Sequence, residues 1–146
     1  MPTNAGPFAI LWPAFALAAL TFAVAVRMMF VRIGEMRRLR IHPQKVAVSA
    51  QAAQHFVDTR AADNFRNLFE MPVLFHVALL VAFVTSSANG ASIALAWLYV
   101  ACRVGHSIIH CGYNRVMHRF YAFASSVAVL LALWIVLGCA LAAHST

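Results

Sequence analysis

Arg60-Ala-Ala-Asp-Asn-Phe-Arg-Asn-Leu-Phe-Glu-Met-Pro72 carries four ionisable side chains and two asparagines straight into the apolar run Val73 to Val84. Helical spacing puts Asp63, Asn67, Glu70 and Leu74 along one stripe. Arg66 stands four residues before Glu70, within reach of an ion pair. A charged stripe that enters a hydrophobic segment is costly in lipid, so it faces a polar cavity or a protein partner.

The remainder of the chain supplies the membrane. Of its 146 residues, 63% are hydrophobic and 10% charged, far fewer charges than the quarter usual in soluble domains. Composition therefore points to an all-α integral membrane protein with one domain spanning 1–146. The formal net charge of +7 sits in particular segments. No stretch interleaves base-stacking aromatics with Lys or Arg on a soluble surface, which argues against a nucleic-acid partner. Cys102, Cys111 and Cys139 fall in or beside apolar segments without CxxC spacing, so buried inert thiols are expected rather than a disulfide framework.

Four apolar segments are long enough to cross a hydrocarbon core of about 30 Å at 1.5 Å per residue. They cover about 8–31, 67–85, 91–112 and 120–143. The first lacks a basic leader and reads as a retained helix rather than a cleaved signal. Its many alanines suit close packing in lipid, Pro13 falls in its first turns, and Arg27 near its far end can snorkel to the interface. Between the first two segments, 32–66 forms a basic connection with seven of the eleven Lys and Arg residues. His42-Pro43 interrupts any helix there. Ser86-Ser87-Ala88-Asn89-Gly90 reads as a turn. The connections around 32–66 and 113–119 hold nine Lys and Arg, against none in the ends or the Ser-rich turn. The positive-inside rule then places both basic connections in the cytoplasm and both termini outside it, in a multi-pass protein of the inner (cytoplasmic) membrane.

Asp63, Arg66, Asn67 and Glu70 start the second span, while Arg103, His106, His110 and Asn114 end the third on one helical face. Both stripes belong to the same membrane depth and together frame a cavity with surplus positive charge. Such a site suits a small anion with several hydrogen-bonding groups, gripped by arginines and held by Asn and Glu. The structural alternative is that Arg66–Glu70 and Arg103–Asp63 are pairs that only lock helices together. His106 and His110, four apart, also have a spacing that can meet a metal or haem, but the neighbouring Arg103 and Arg115 disfavour a bound cation, and no metal is expected. His76 reads as a satisfied packing residue.

Arg66-Asn67-x-x-Glu70 followed by Pro72, with Arg103-x-x-His106-x-x-x-His110 and then Arg115 and Arg119, resembles the MAPEG family, the membrane-associated proteins of eicosanoid and glutathione metabolism. The chain looks like a bacterial-type member similar to microsomal glutathione transferase and prostaglandin E synthase, and the likeness covers essentially the whole chain. The resemblance implies a homotrimer of four-transmembrane-helix bundles with glutathione as co-substrate, bound between neighbouring subunits. It assigns Arg66, Asn67, Glu70, Arg103 and His106 to holding the tripeptide, with Arg32 or Arg27 from the first helix. His110 and Arg115 lie in the same motif, and Arg119 aligns with the arginine that stabilises the thiolate. The implied activity is a glutathione-dependent transferase or peroxidase acting on hydrophobic electrophiles or lipid hydroperoxides that arrive from membrane lipids.

The chain also departs from the family pattern. His110 replaces a tyrosine, Phe120 and Phe123 replace hydroxyl residues, and Asp63 stands where some members have another arginine. These departures support the alternative of a non-catalytic lipid-binding or scaffold protein of the same fold. A transporter subunit in which Glu70 or Asp63 carries protons is a further alternative.

Overall fold

The computed structural model describes residues 8–144. The two ends, assigned above to the outer side, lie outside them. A 3-10 turn at Ala9–Leu11 leads into α1, Trp12–Arg38. Pro13 is tolerated because it occupies the first turn, where its missing N–H has no helical acceptor. The helix continues well past Val31 and ends in a left-handed cap. Arg40 takes φ 52°, and the Ile41 N–H donates to Met36 O at 3.0 Å.

The basic connection is shorter than sequence periodicity suggests, because both of its ends are helical. Pro43–Val46 forms a second 3-10 turn, with His42 accepting from the Gln44 N–H, and Ser49–His55 forms the short helix α2. The return to the membrane is tied to α1 by Glu35, whose carboxylate accepts from the backbone N–H groups of Val57 and Asp58 at 3.0 and 3.3 Å. Arg60 donates through Nε and one terminal nitrogen to Asp58, both at 2.8 Å. That bond holds the Asp58 carboxyl below the usual carboxylate range.

The second span runs Arg60–Val84 and is not one continuous helix. It divides into α3, Arg60–Asn67, and α4, Met71–Val84. Pro72 is the cause. It lacks an N–H and its ring crowds the carbonyl four residues back, so the helix stops before it and restarts at Met71 with Pro72 in the first turn. Glu70, at the break, has φ −93° and ψ −98°. The Asn67 carbonyl is left with a long bond of 3.4 Å from the Glu70 N–H and is free for another donor.

At the opposite end, Ser86 at φ 54° and the Ser87 N–H bonded to Ala82 O close α4. Asn89 and Ser92 then open α5, Gly90–Cys111, with a reciprocal capping box at 2.9 Å in each direction. α6 spans Val116–His144. It begins earlier than expected, so Arg119 lies in its first turn rather than in the connection before it. The Arg119 N–H already makes a helical bond to Arg115 O.

Counting α3 and α4 as one crossing, the helices traverse up and down, and both basic connections fall at one end of the bundle. α5 packs most extensively on α6, and α1 packs on α3 and α5. Leu17, Phe75, Ala78, Leu79, Ala82, Ala96, Leu133 and Leu137 are closed off in the interior. Phe15, Phe22 and Phe30 of α1 and Leu131 and Ile135 of α6 face outward, as hydrocarbon-facing surfaces do. Four helices are long and apolar enough to cross a membrane, and the chain is a multi-pass integral membrane protein.

Candidate functional site

At the end of the bundle that bears the basic connections, α3, α5 and α6 line an open cavity of about 510 Å³. α3 and the break after it present Asp63, Arg66, Asn67 and Glu70. α5 presents His106 and His110, and α6 presents Arg119 above an apolar wall of Val116, Phe120 and Phe123.

The charges pair differently from the sequence expectation. Arg66 lies 3.6 Å from Asp63, one turn back in α3, rather than pairing with Glu70. The helix break explains the change, since it removes Glu70 from the regular i+4 position. Asp63 is held by the Thr59 hydroxyl at 2.8 Å. Glu70 instead accepts from the Asn67 amide at 3.3 Å.

Arg103 does not pair with Asp63. It is fully buried and donates from one terminal nitrogen to both the backbone carbonyl and the side-chain oxygen of Asn67. Asn67 thus sits between Arg103 and Glu70, accepting from one and donating to the other. The guanidinium also lies 5.9 Å from the centre of the Phe123 ring. Because Arg103 stands behind the cavity wall, the lining carries two arginines and two carboxylates. The surplus of positive charge read from the sequence is therefore absent from the lining.

Arg119 is placed by two acceptors. One terminal nitrogen donates to Asn114 Oδ1 and approaches His110 Nε2, each at 3.1 Å. Asn114 adopts φ 50°, a left-handed conformation that asparagine accepts readily, and its N–H closes on Ile109 O. The His110 contact fixes that ring with Nε2 as acceptor and the proton on Nδ1. His106 lies edge-on to His110 at 5.4 Å. It is 2% exposed, and neither of its ring nitrogens has a hydrogen-bond partner. Buried polar groups are normally satisfied, so a polar ligand in this cavity meets a ready donor or acceptor.

The structure separates the remaining sequence-assigned residues from this cavity. Arg32 stacks over Phe56 at 5.8 Å and lines a neighbouring cavity of about 320 Å³, which shares Asp63 and Arg66 with the first. Arg115 is exposed and outside the lining. Arg27 does not simply snorkel to the interface. It donates to the carbonyl of Cys111 at 2.7 Å and caps the end of α5.

Several supporting residues escaped sequence reasoning. Arg60 reaches from α3 to the Gly112 carbonyl, a second tie on the same helix end. Asn64, fully buried, donates to Cys111 Sγ at 3.4 Å and is met by the Ser107 hydroxyl at 3.5 Å. Its signal was available: Asn64 shares the buried side of α3 with Ala61 and Leu68, where an apolar residue would be ordinary. The thiols also differ from the all-buried expectation, since Cys139 is exposed and Cys102 half-buried. His76 bonds the Pro72 carbonyl at 2.7 Å, a local role.

Comparison with known proteins gives one family match, to the MAPEG family model over residues 10–139. No curated protein and no solved structure matches. The family model covers nearly the whole chain, including both polar stripes and most of every span, and the chain belongs to the MAPEG family.

Proposed function

We propose that the protein binds a glutathione-type thiol in the cavity between α3, α5 and α6 and joins it to an apolar electrophile, or uses it to reduce a lipid hydroperoxide. The observation that carries this reading is the position of Arg119: a cation fixed by His110 and Asn114 at the junction of the polar lining with an apolar wall. A thiol is a weak nucleophile, and a nearby cation favours its thiolate. Arg119 is the group suited to that task. Asn67, Glu70 and His106 offer hydrogen-bonding groups to the peptide, and Arg66 offers a cation at the rim. Phe120 and Phe123 border the sulfur position on the side from which a lipophilic partner arrives.

In the conjugation reaction the thiol proton leaves for solvent and the thiolate attacks the electrophilic carbon. A carbon–sulfur bond forms while the leaving group departs with its electron pair. Holding both reactants at one place supplies the proximity component. Arg32 and Arg115 lie off this cavity within one chain. A homotrimer, the assembly the family resemblance implies, is the arrangement in which such residues reach a neighbour's site. The basic connections face the cytoplasm in this reading, so the thiol enters from there.

The test is the purified protein in detergent with glutathione and a chromogenic aryl halide or cumene hydroperoxide. Thiolate absorbance on binding, with turnover that falls in Arg119→Ala, is the expected result. Absence of thiolate absorbance, together with turnover indifferent to Arg119→Ala, overturns the catalytic reading. A second reading is favoured by Phe120 and Phe123, which give the cavity no hydroxyl beside Arg119: a non-catalytic lipid-binding protein. Lipid that copurifies in the cavity, with no thiol affinity, distinguishes it.

A further inference from the structure

We infer that the groove between α1 and the α3–α4 junction is a second binding site, for an uncharged single-chain lipid that donates a hydrogen bond from a hydroxyl group. The groove has a volume of about 310 Å³ and shares no residue with the cavity that holds Arg119. It stands apart from the thiol-binding reading.

Phe22 of α1 and the edge-to-face pair of Phe65 and Phe69 make its walls apolar. Phe22 and Phe69 are exposed at the surface, and the α1 residues belong to the middle of the first span. The groove therefore opens to hydrocarbon. No charged side chain lines it, so an ionic headgroup finds no partner there. Its volume lies at the small end of the roughly 300–1,000 Å³ of ligand pockets, which suits one chain rather than the two of a phospholipid.

Two polar side chains line the groove, and both are spent as donors. The Thr21 hydroxyl donates to Leu17 O at 3.0 Å, within its own helix. His76 Nδ1 lies 2.7 Å from Pro72 O. A carbonyl only accepts, so the imidazole proton stands on Nδ1 and Nε2 is an acceptor, without a partner among the described residues. Each proton is committed inside its own helix, so this acceptor character holds whatever stands beside α1, a second copy of the chain included. An alkane, an ether or an ester brings no donor and leaves the acceptors unmet in a medium without water. A hydroxyl on an otherwise apolar chain meets Nε2 and keeps the rest of the ligand against phenylalanine.

The experiment is photolabelling of the full chain in detergent with a long-chain primary alcohol that carries a diazirine in its chain, beside the methyl ether of the same probe. In the wild type the alcohol is expected to label the peptides containing Phe22 and Phe69 about tenfold more than the ether does. His76→Phe, which keeps a ring and removes the acceptor, is expected to bring that ratio close to one, and Thr21→Val to lower it less. Equal labelling by the two probes in the wild type overturns the inference. A ratio that survives unchanged in both variants does so too. Labelling no stronger there than on the outward Leu131 and Ile135 face of α6, the result if a second copy of the chain fills the groove, also overturns it. The comparison of probes needs no variant, so a variant that fails to fold does not shield the inference. None of these readings depends on thiol binding.

Discussion

Arg119 and His110 meet across 3.1 Å, with the guanidinium of α6 donating to the imidazole Nε2 of α5. The contact joins the two most extensively packed helices at the mouth of the cavity and holds the proposed thiolate-stabilising cation in one position. Replacing Arg119 with alanine should lower kcat/KM for an aryl halide by about tenfold to a hundredfold, the equivalent of one to two pKa units at the thiol. Arg119→Lys should recover part of the loss. Steady-state rates, read beside thiolate absorbance at several pH values, check both expectations.

Asn67 supports a buried cation, so its removal should damage the fold more than a surface change would. Asn67→Leu leaves Arg103 with the backbone carbonyl alone, and losing a hydrogen bond to a charged group costs about 1.5–3 kcal/mol. A lower midpoint of thermal unfolding in detergent is expected. Glu70→Gln, which touches the opposite side of Asn67, should leave that midpoint nearly unchanged and weaken ligand binding. Calorimetry on the two variants separates support from recognition.

Gly112 ends α5 where a side chain does not fit. A Cβ there would lie 2.7 Å from the Ile108 carbonyl oxygen, a backbone atom that cannot turn aside. Gly112→Ala should therefore destabilise by about 1–3 kcal/mol. It should also speed amide exchange in the last turn of α5, which Arg27 and Arg60 otherwise hold. Arg27→Met and Arg60→Met should each speed exchange at the same amides without a comparable change at Ala96 or Tyr99.

Asp58 gives the connection a pH dependence of known sign. Its carboxyl lies below its ordinary value because Arg60 donates to it, so the pair contributes stability above the unfolded pKa of about 3.9. That contribution is lost as pH falls through the lower folded value. The magnitude is small for a partly exposed pair. Limited proteolysis between 39 and 59 should accelerate below about pH 4 in the wild type. Asp58→Asn should cleave faster even at neutral pH and show less dependence on acid.

The membrane spans were legible because a run of apolar residues has one physical meaning at that length. The depth of the two polar stripes followed, since span order alone puts the start of the second crossing beside the end of the third. Charge pairing was not legible. Regular helical spacing linked Arg66 to Glu70, but Pro72 breaks the helix between them and leaves Asp63 as the neighbour. Arg103 looked like one more cavity arginine because spacing gives a face and not a depth. Asn64 and Arg60 act through contacts with α5 that no local pattern encodes. Arg32 and Arg115 were assigned by motif, and in a single chain both stand away from the cavity.

Pro72 is usually counted as a kink, yet its effect reaches the charge buried beside it. By ending α3 early it releases the Asn67 carbonyl, and Arg103 takes that oxygen at 2.9 Å. No carboxylate lies within ion-pair distance of Arg103 among the described residues. The cation is therefore met by oriented dipoles, one from the backbone and one from the Asn67 amide. A proline without a polar atom on its ring thus frees one of the two acceptors of an arginine on another helix, and Pro72→Ala would mend one helix by taking that acceptor from the charge of its neighbour.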